Sequence, residues 1–189
     1  MIYESFPWKE ELLKIKKSLE HREVQKRWNN RSYFLFEKEI FISFYIIRKL
    51  IEADKFSTKN REMKIPCHMF PTSEKKVTKF NKHRIEVLYD FSKYKMDEIR
   101  LIDLCHQIIH SYIFDPVFAE NKKVIGFWVT SDRRRNRSLY CIFIDDVIKL
   151  FNILGNDYPN YMNSYYDNKT KDYIISQEMI PQDELMNVK

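Results

Sequence analysis

The segment RLIDLCHQIIHSYIF, residues 100–114, decides how the chain is read. Projected at 100° per residue, Arg100, Asp103, His106, Gln107, His110 and Ser111 fall within an arc of about 140°. Leu101, Ile102, Leu104, Cys105, Ile108, Ile109, Tyr112 and Ile113 occupy the other side. The spacing predicts one amphipathic helix over 96–114. Asp115-Pro116 stops it, because the residue before a proline avoids the helical region. The polar face would then carry two imidazoles four residues apart, with a carboxylate, an amide and a guanidinium.

The segments on either side extend the helical reading. Ser5 and Pro7 mark a helix start, and a charged amphipathic helix follows over 8–27. Asn29 and Asn30 offer caps to SYFLFEKEIFISFYIIRKLIEAD, which is apolar on most of its circumference and therefore buried among several neighbours. Residues 55–82 are polar and contain Pro66 and Pro71, so they predict a long connection. RIEVLYDF (84–91) predicts a short strand. VIGFWVT and SLYCIFI, either side of SDRRRN, carry the signature of a β-hairpin with a longer loop. DDVIKLFNILG predicts a short helix capped by Asp145 or Asp146 and closed by Gly155. The expected fold class is α+β, a mostly helical domain with a small antiparallel sheet. It spans 1–155 with the hairpin near 124–144. A C-terminal extension over 156–189, rich in Asn, Asp and Tyr, packs on it, and DYIISQEMI adds a strand.

Composition narrows function. Only two glycines occur, Gly126 and Gly155, where average usage would give about thirteen. Loops that cradle phosphates need glycine so that backbone can approach the ligand, which disfavours nucleotide-dependent enzymes of the Walker and Rossmann types. Cys67, Cys105 and Cys141 are odd in number and far apart, so neither a disulfide framework nor a zinc ribbon is expected. The start lacks the apolar stretch of a signal peptide. The longest apolar run, 40–47, is too short for a bilayer, so no membrane partner is expected and the cytoplasm is the expected location. The net charge of +6 favours an acidic partner such as nucleic acid.

The histidine face admits three readings. It is a solvated surface, or a metal site, or a centre for acid–base chemistry. Histidines at i and i+4 can hold one ion, with Asp103 close by. HQIIH lacks the glutamate of a zinc-protease helix, and no third strong ligand is evident, with His68, His83 and Asp90 as candidates. No metal and no cofactor are therefore assigned. The third reading needs only a base, an acid and a cation on an RNA phosphodiester. Histidine exchanges protons near neutrality and arginine grips phosphate. Residues 96–114 contain no lysine in a lysine-rich chain, which suits a directed hydrogen-bond network.

Arg100, five intervening residues and His106 together resemble the signature of the HEPN superfamily (higher eukaryotes and prokaryotes nucleotide-binding). HQIIHSY is similar to that family's Asn-x-x-x-His ending, with His106 in the asparagine position and His110 as the closing histidine. The resemblance implies a helical domain that cleaves RNA without metal, as a homodimer, in toxin, phage-defence or RNA-processing roles. Together with the acid–base reading, in which Asp103 orients one imidazole, it leaves Arg100, Asp103, His106 and His110 as the candidate catalytic residues.

A second cluster is independent of that resemblance. Arg133, Arg134, Arg135 and Arg137 crowd into one expected hairpin tip, where they would grip phosphates. Trp128 and Tyr140 on the adjoining strands are candidates to stack on bases. Lys75, Lys76, Lys79, Lys82 and Arg84 form a second basic stretch. The alternative to an enzyme is a non-catalytic module that binds nucleic acid or protein, with the histidine helix as scaffold.

Overall fold

Helices open the chain, helix and strand alternate through its middle, and strands dominate its end. The fold is that of a computed structural model, described for residues 2–181. Two long helices open it, α1 (Phe6–Glu23) and α2 (Asn30–Glu52), followed by one turn of α3 (Thr58–Arg61). Then come β1 (Lys64–Pro71), the short α4 (Ile85–Leu88), β2 (Lys95–Arg100), α5 (Leu101–Ile109) and β3 (Ser111–Phe118). The hairpin β4 (Val124–Ser131) and β5 (Ser138–Phe143) leads into α6 (Ile144–Gly155). A second hairpin, β6 (Tyr161–Asp167) and β7 (Asp172–Glu178), follows. The last eight residues of the expected C-terminal extension, 182–189, lie outside the described residues.

The mostly helical expectation is corrected by a central sheet. Helix accounts for 41% and strand for 29%. Five antiparallel strands stand in the order β2-β1-β5-β4-β3. A HEPN domain is a bundle of helices, so this sheet also overturns the HEPN resemblance. The physical reason lies in the opening segment. Its helical periodicity is real only over Leu101–Ile109. Arg100 has extended backbone (φ −61°, ψ 142°) and closes β2, while Ser111 opens β3. Pro116, expected beyond a helix end, sits inside β3, an edge strand where a missing N–H is tolerated. Short strands either side of a short helix thus mimic one long helix when their apolar residues happen to fall in phase.

Two further expectations change for related reasons. The long connection over 55–82 contains β1. Pro66 lies where β1 pairs with β2 alone, and Pro71 is its last residue. The strand expected at 84–91 is instead one turn of helix, α4.

The core lies between the sheet and the four helices α1, α2, α5 and α6. Leu12, Leu19, Phe36, Phe44, Leu104 and Phe151 are fully buried there against Phe127, Val129 and Ile142 of the sheet. Asn29 caps α2 through its side chain, which accepts from the backbone N–H of Ser32 at 2.9 Å. A second, smaller core covers the opposite face. There Phe70, Ile113, Leu139 and Cys141 pack under Val77, Leu88 and Tyr89. Among the described residues no helix is long and apolar enough to cross a membrane.

Polar groups fasten the helices at one end. Lys9 is buried, and its ammonium donates to the carbonyl oxygens of Lys55, at 2.7 Å, and of Asp157. Asp157 is buried too, and its Oδ2 accepts from the backbone N–H of Ser57 at 2.8 Å. The residue two places beyond α6 is thereby tied to the first helix and to the start of the third.

One glycine is required by packing of backbone on backbone. A β-carbon at Gly126 would fall on the carbonyl oxygen of Ile142 in the adjacent strand β5. At Gly155 it would meet only the side chain of Leu13, which can rotate. Gly126→Ala is expected to lose about 2–4 kcal/mol of stability, and Gly155→Ala less than half as much. Equal losses in urea denaturation would contradict this account of β4.

Candidate nucleic-acid interface

Residues from three distant stretches of sequence meet at the C-terminal end of α5. Gln107, expected on the polar face, turns inward, and its Oε1 accepts from the backbone N–H of Ser131 at 3.0 Å. The backbone N–H of Asp132 donates to the carbonyl oxygen of His110 at 3.2 Å. These two bonds seat the β4–β5 turn against the histidines. The turn is docked on its far side as well. Val77 N–H donates to Asn136 Oδ1 at 2.8 Å, Tyr89 hydroxyl to Arg135 carbonyl at 2.7 Å, and Thr72 N–H to Arg137 carbonyl at 3.1 Å. The arginine turn is therefore no free-standing hairpin tip. It joins the histidine helix to the lysine-bearing segment that follows β1.

His106 and His110 are in contact, with ring centroids 4.7 Å apart and planes at 68°. Burial depresses the pKa of His106 below its ordinary value, and the neighbouring His110, Arg48 and Arg133 depress it further. Asp103 acts weakly in the other direction. A neutral His106 can accept a proton at pH 7. His110→Ala should raise its pKa more than Arg133→Ala does, and Asp103→Asn should lower it. NMR titration of the His106 ring checks all three signs, and a ring indifferent to every change would refute the arrangement.

Arg100 stands apart from the histidines. It caps the opposite end of α5, about 9 Å from His106 along the axis at 1.5 Å per residue. Its Nε donates to Asp103 Oδ2 at 2.7 Å on an exposed surface. Asp103 is thus engaged by Arg100 rather than by an imidazole. The guanidinium groups acting on His106 are those of Arg48, which donates to Glu52 at 2.6 Å, and Arg133. Arg48 lies on α2, and no local signal in the sequence joins it to α5.

The four arginines of the turn divide by role. Arg134 donates to the Tyr140 hydroxyl at 2.7 Å. Arg135 is ion-paired with Asp132 and lies over the Tyr112 ring, 4.3 Å from its centroid. Arg133 and Arg137 are exposed and have no side-chain partner among the described residues. Lys82 reaches the same Tyr112 ring, 5.4 Å from the centroid, and so extends the basic surface from the turn. The two aromatic candidates also divide. Tyr140 is buried in the main core, whereas Trp128, half-buried, packs beneath Phe91 and against Phe70 on the other face.

An apolar recess of about 320 Å³, lined by Phe41, Ile42, Tyr45, Ile109 and Ser111, adjoins His110 along the chain. A larger cleft of about 610 Å³, between Trp8, Tyr45 and Lys55, shares Tyr45 with this recess and is lined by no histidine or cysteine. The three thiols are buried, and burial pushes them up to about 11 at Cys67 and about 12 at Cys105 and Cys141. They are poor nucleophiles at neutral pH. Among the described residues no group of three or more His, Cys, Asp or Glu is placed to hold a metal ion.

Comparison of the chain with protein families, with curated proteins and with solved structures finds no match. The functional reading therefore rests on the geometry above.

Proposed function

We propose that the chain binds nucleic acid, with RNA as the preferred ligand, through the basic surface centred on Arg133 and Arg137. One observation carries this reading. The arginine turn, the segment bearing Lys75, Lys76, Lys79 and Lys82, and the His106–His110 pair are bonded into one region, although far apart in sequence. Exposed cations grouped in this way neutralise phosphates and release counterions. Fluorescence anisotropy with a labelled single-stranded RNA is the test. Affinity should fall steeply as salt rises, by about 0.7 in log K per log salt for each phosphate neutralised. A flat salt response, or no binding at low salt, would remove nucleic acid as the ligand.

A second reading, cleavage of the bound RNA, is favoured by the contact between the two imidazoles. His106, held neutral by burial, would take the proton of a ribose 2′-hydroxyl. The 2′-oxygen would attack phosphorus and form a 2′,3′-cyclic phosphate. The 5′-oxygen would leave with a proton from His110, while Arg133 stabilised the charged phosphorane. Such cleavage should persist in chelator, yield a cyclic phosphate, and drop at least about 100-fold in His106→Ala. Binding without cleavage, unchanged in that variant, leaves the binding module as the function.

A further inference from the structure

The C-terminal hairpin leaves one strand edge open. β6 and β7 pair in regular antiparallel register from Tyr161↔Glu178 to Asp167↔Asp172. A two-stranded hairpin is marginal in water by itself. Its hydrogen bonds to α3 run through β7. Gln177 N–H donates to Thr58 Oγ1 at 2.9 Å, and Arg61 donates to the Ile175 carbonyl at 2.9 Å. Those two backbone groups point away from β6. In an antiparallel ladder, directly opposed residues both turn inward or both turn outward. Ser164, opposite Ile175, and Met162, opposite Gln177, therefore direct their own N–H and C=O groups to the far side of β6. Tyr166 follows by the period of two. Among the described residues nothing outside the hairpin bonds to this edge.

The other exposed edges of the molecule are blunted. β2 carries Lys95, Asp97, Glu98 and Arg100. β3 carries Asp115 and Pro116 and has two irregularities of register. Charges, proline and bulges are the devices that stop strand edges from pairing with other chains. β6 has none of them over 161–166, and it exposes Met162 (61%), Tyr165 (61%) and Tyr166 (50%).

We propose that β6 pairs with β6 of a second copy of this chain, antiparallel about a two-fold axis at Ser164. The product is a four-stranded sheet, β7-β6-β6-β7. Ser164 then faces its own copy, Met162 faces Tyr166 of the other chain, and Tyr161 faces Asp167 of the other chain. No like charges oppose each other in this register, and the Met–Tyr pairs cover apolar surface from both chains. Because α3 occupies the outer edge of β7, the assembly closes at two copies and does not propagate into a filament. The inference is independent of nucleic-acid binding.

Light scattering on the full chain tests it. The wild type should have twice the 23.3 kDa mass of one chain. Met162→Lys with Tyr166→Lys opposes like charges across the seam and should give the single-chain mass. Ser164→Pro removes an outward N–H, spares the β6–β7 bonds and should do the same. Met162→Lys with Tyr166→Glu opposes unlike charges and should restore the dimer. A wild type at the single-chain mass overturns the proposal. A dimeric double-lysine variant, or a monomeric lysine–glutamate variant beside a dimeric wild type, also overturns it. Circular dichroism confirms that each variant retains its helices.

Discussion

Alanine at Lys76, Lys82, Arg133 and Arg137 together is expected to weaken RNA binding about 100-fold at moderate salt. The dependence of log K on log salt should become shallower by about 3. These four side chains are exposed and make no ion pair among the described residues. Removing them therefore takes phosphate-binding charge from the surface and costs the fold one exposed contact, that of Lys82 with the Tyr112 ring. Arg134 and Arg135 are different. Arg134 bonds Tyr140, and Arg135 bonds Asp132 and covers Tyr112, so their loss would disturb the turn as well as the charge. His106→Ala with His110→Ala should leave affinity within about threefold, since the phosphate contacts assigned to Lys76, Lys82, Arg133 and Arg137 remain in place. If the histidine variant lost binding and the four-cation variant kept it, the ligand would be something other than a phosphate backbone.

Lys9→Met is expected to destabilise the fold by about 2–4 kcal/mol near neutral pH. It would leave the buried carbonyls of Lys55 and Asp157 without a donor. It would also remove a cation 4.4 Å from the Tyr158 ring centroid. The pH dependence is the sharper signature. Burial lowers the Lys9 pKa to about 8 from 10.5, against the opposing attraction of Asp157. Between those values the unfolded chain binds more protons than the folded one. The Lys9 contribution to stability therefore rises with pH through the window, by about 3 kcal/mol, and is lost as pH falls back through 8. The raised values of the three cysteines and Tyr89 act oppositely at alkaline pH. The quantity to follow is thus the difference between wild type and Lys9→Met in urea denaturation. That deficit should widen from pH 7 to pH 10, and a constant or narrowing deficit would show that Lys9 is not desolvated.

Long-range pairing explains what the sequence could and could not disclose. α2 was legible because its side chains alone produce a strong apolar pattern after an asparagine cap. The β4–β5 hairpin was legible because its two strands are β-branched, aromatic and close in sequence. β1 was not. Its neighbours β2 and β5 are remote in sequence, and its two prolines suggest a loop until the register shows each to be harmless. β2, α5 and β3 were fused into one helix because each is too short to display its own period. The inward turn of Gln107 marks where that projection fails, since only the adjacent Ser131 amide makes its burial favourable. Within the site, the contact of His106 with His110 follows from their spacing of four. The proximity of Arg48 and Arg133, and the docking of the arginine turn on the lysine segment, depend on tertiary structure that no local motif encodes.

The central claim is that one basic surface, assembled from three stretches of chain, receives the nucleic acid. Amide chemical-shift mapping during titration with a short oligouridylate tests it most directly. Shifts concentrated at residues 75–84, 106–112 and 131–138, absent in the four-cation variant, are the predicted result. Shifts confined to the cleft between Trp8 and Lys55, or none at an RNA concentration that saturates binding, would contradict it.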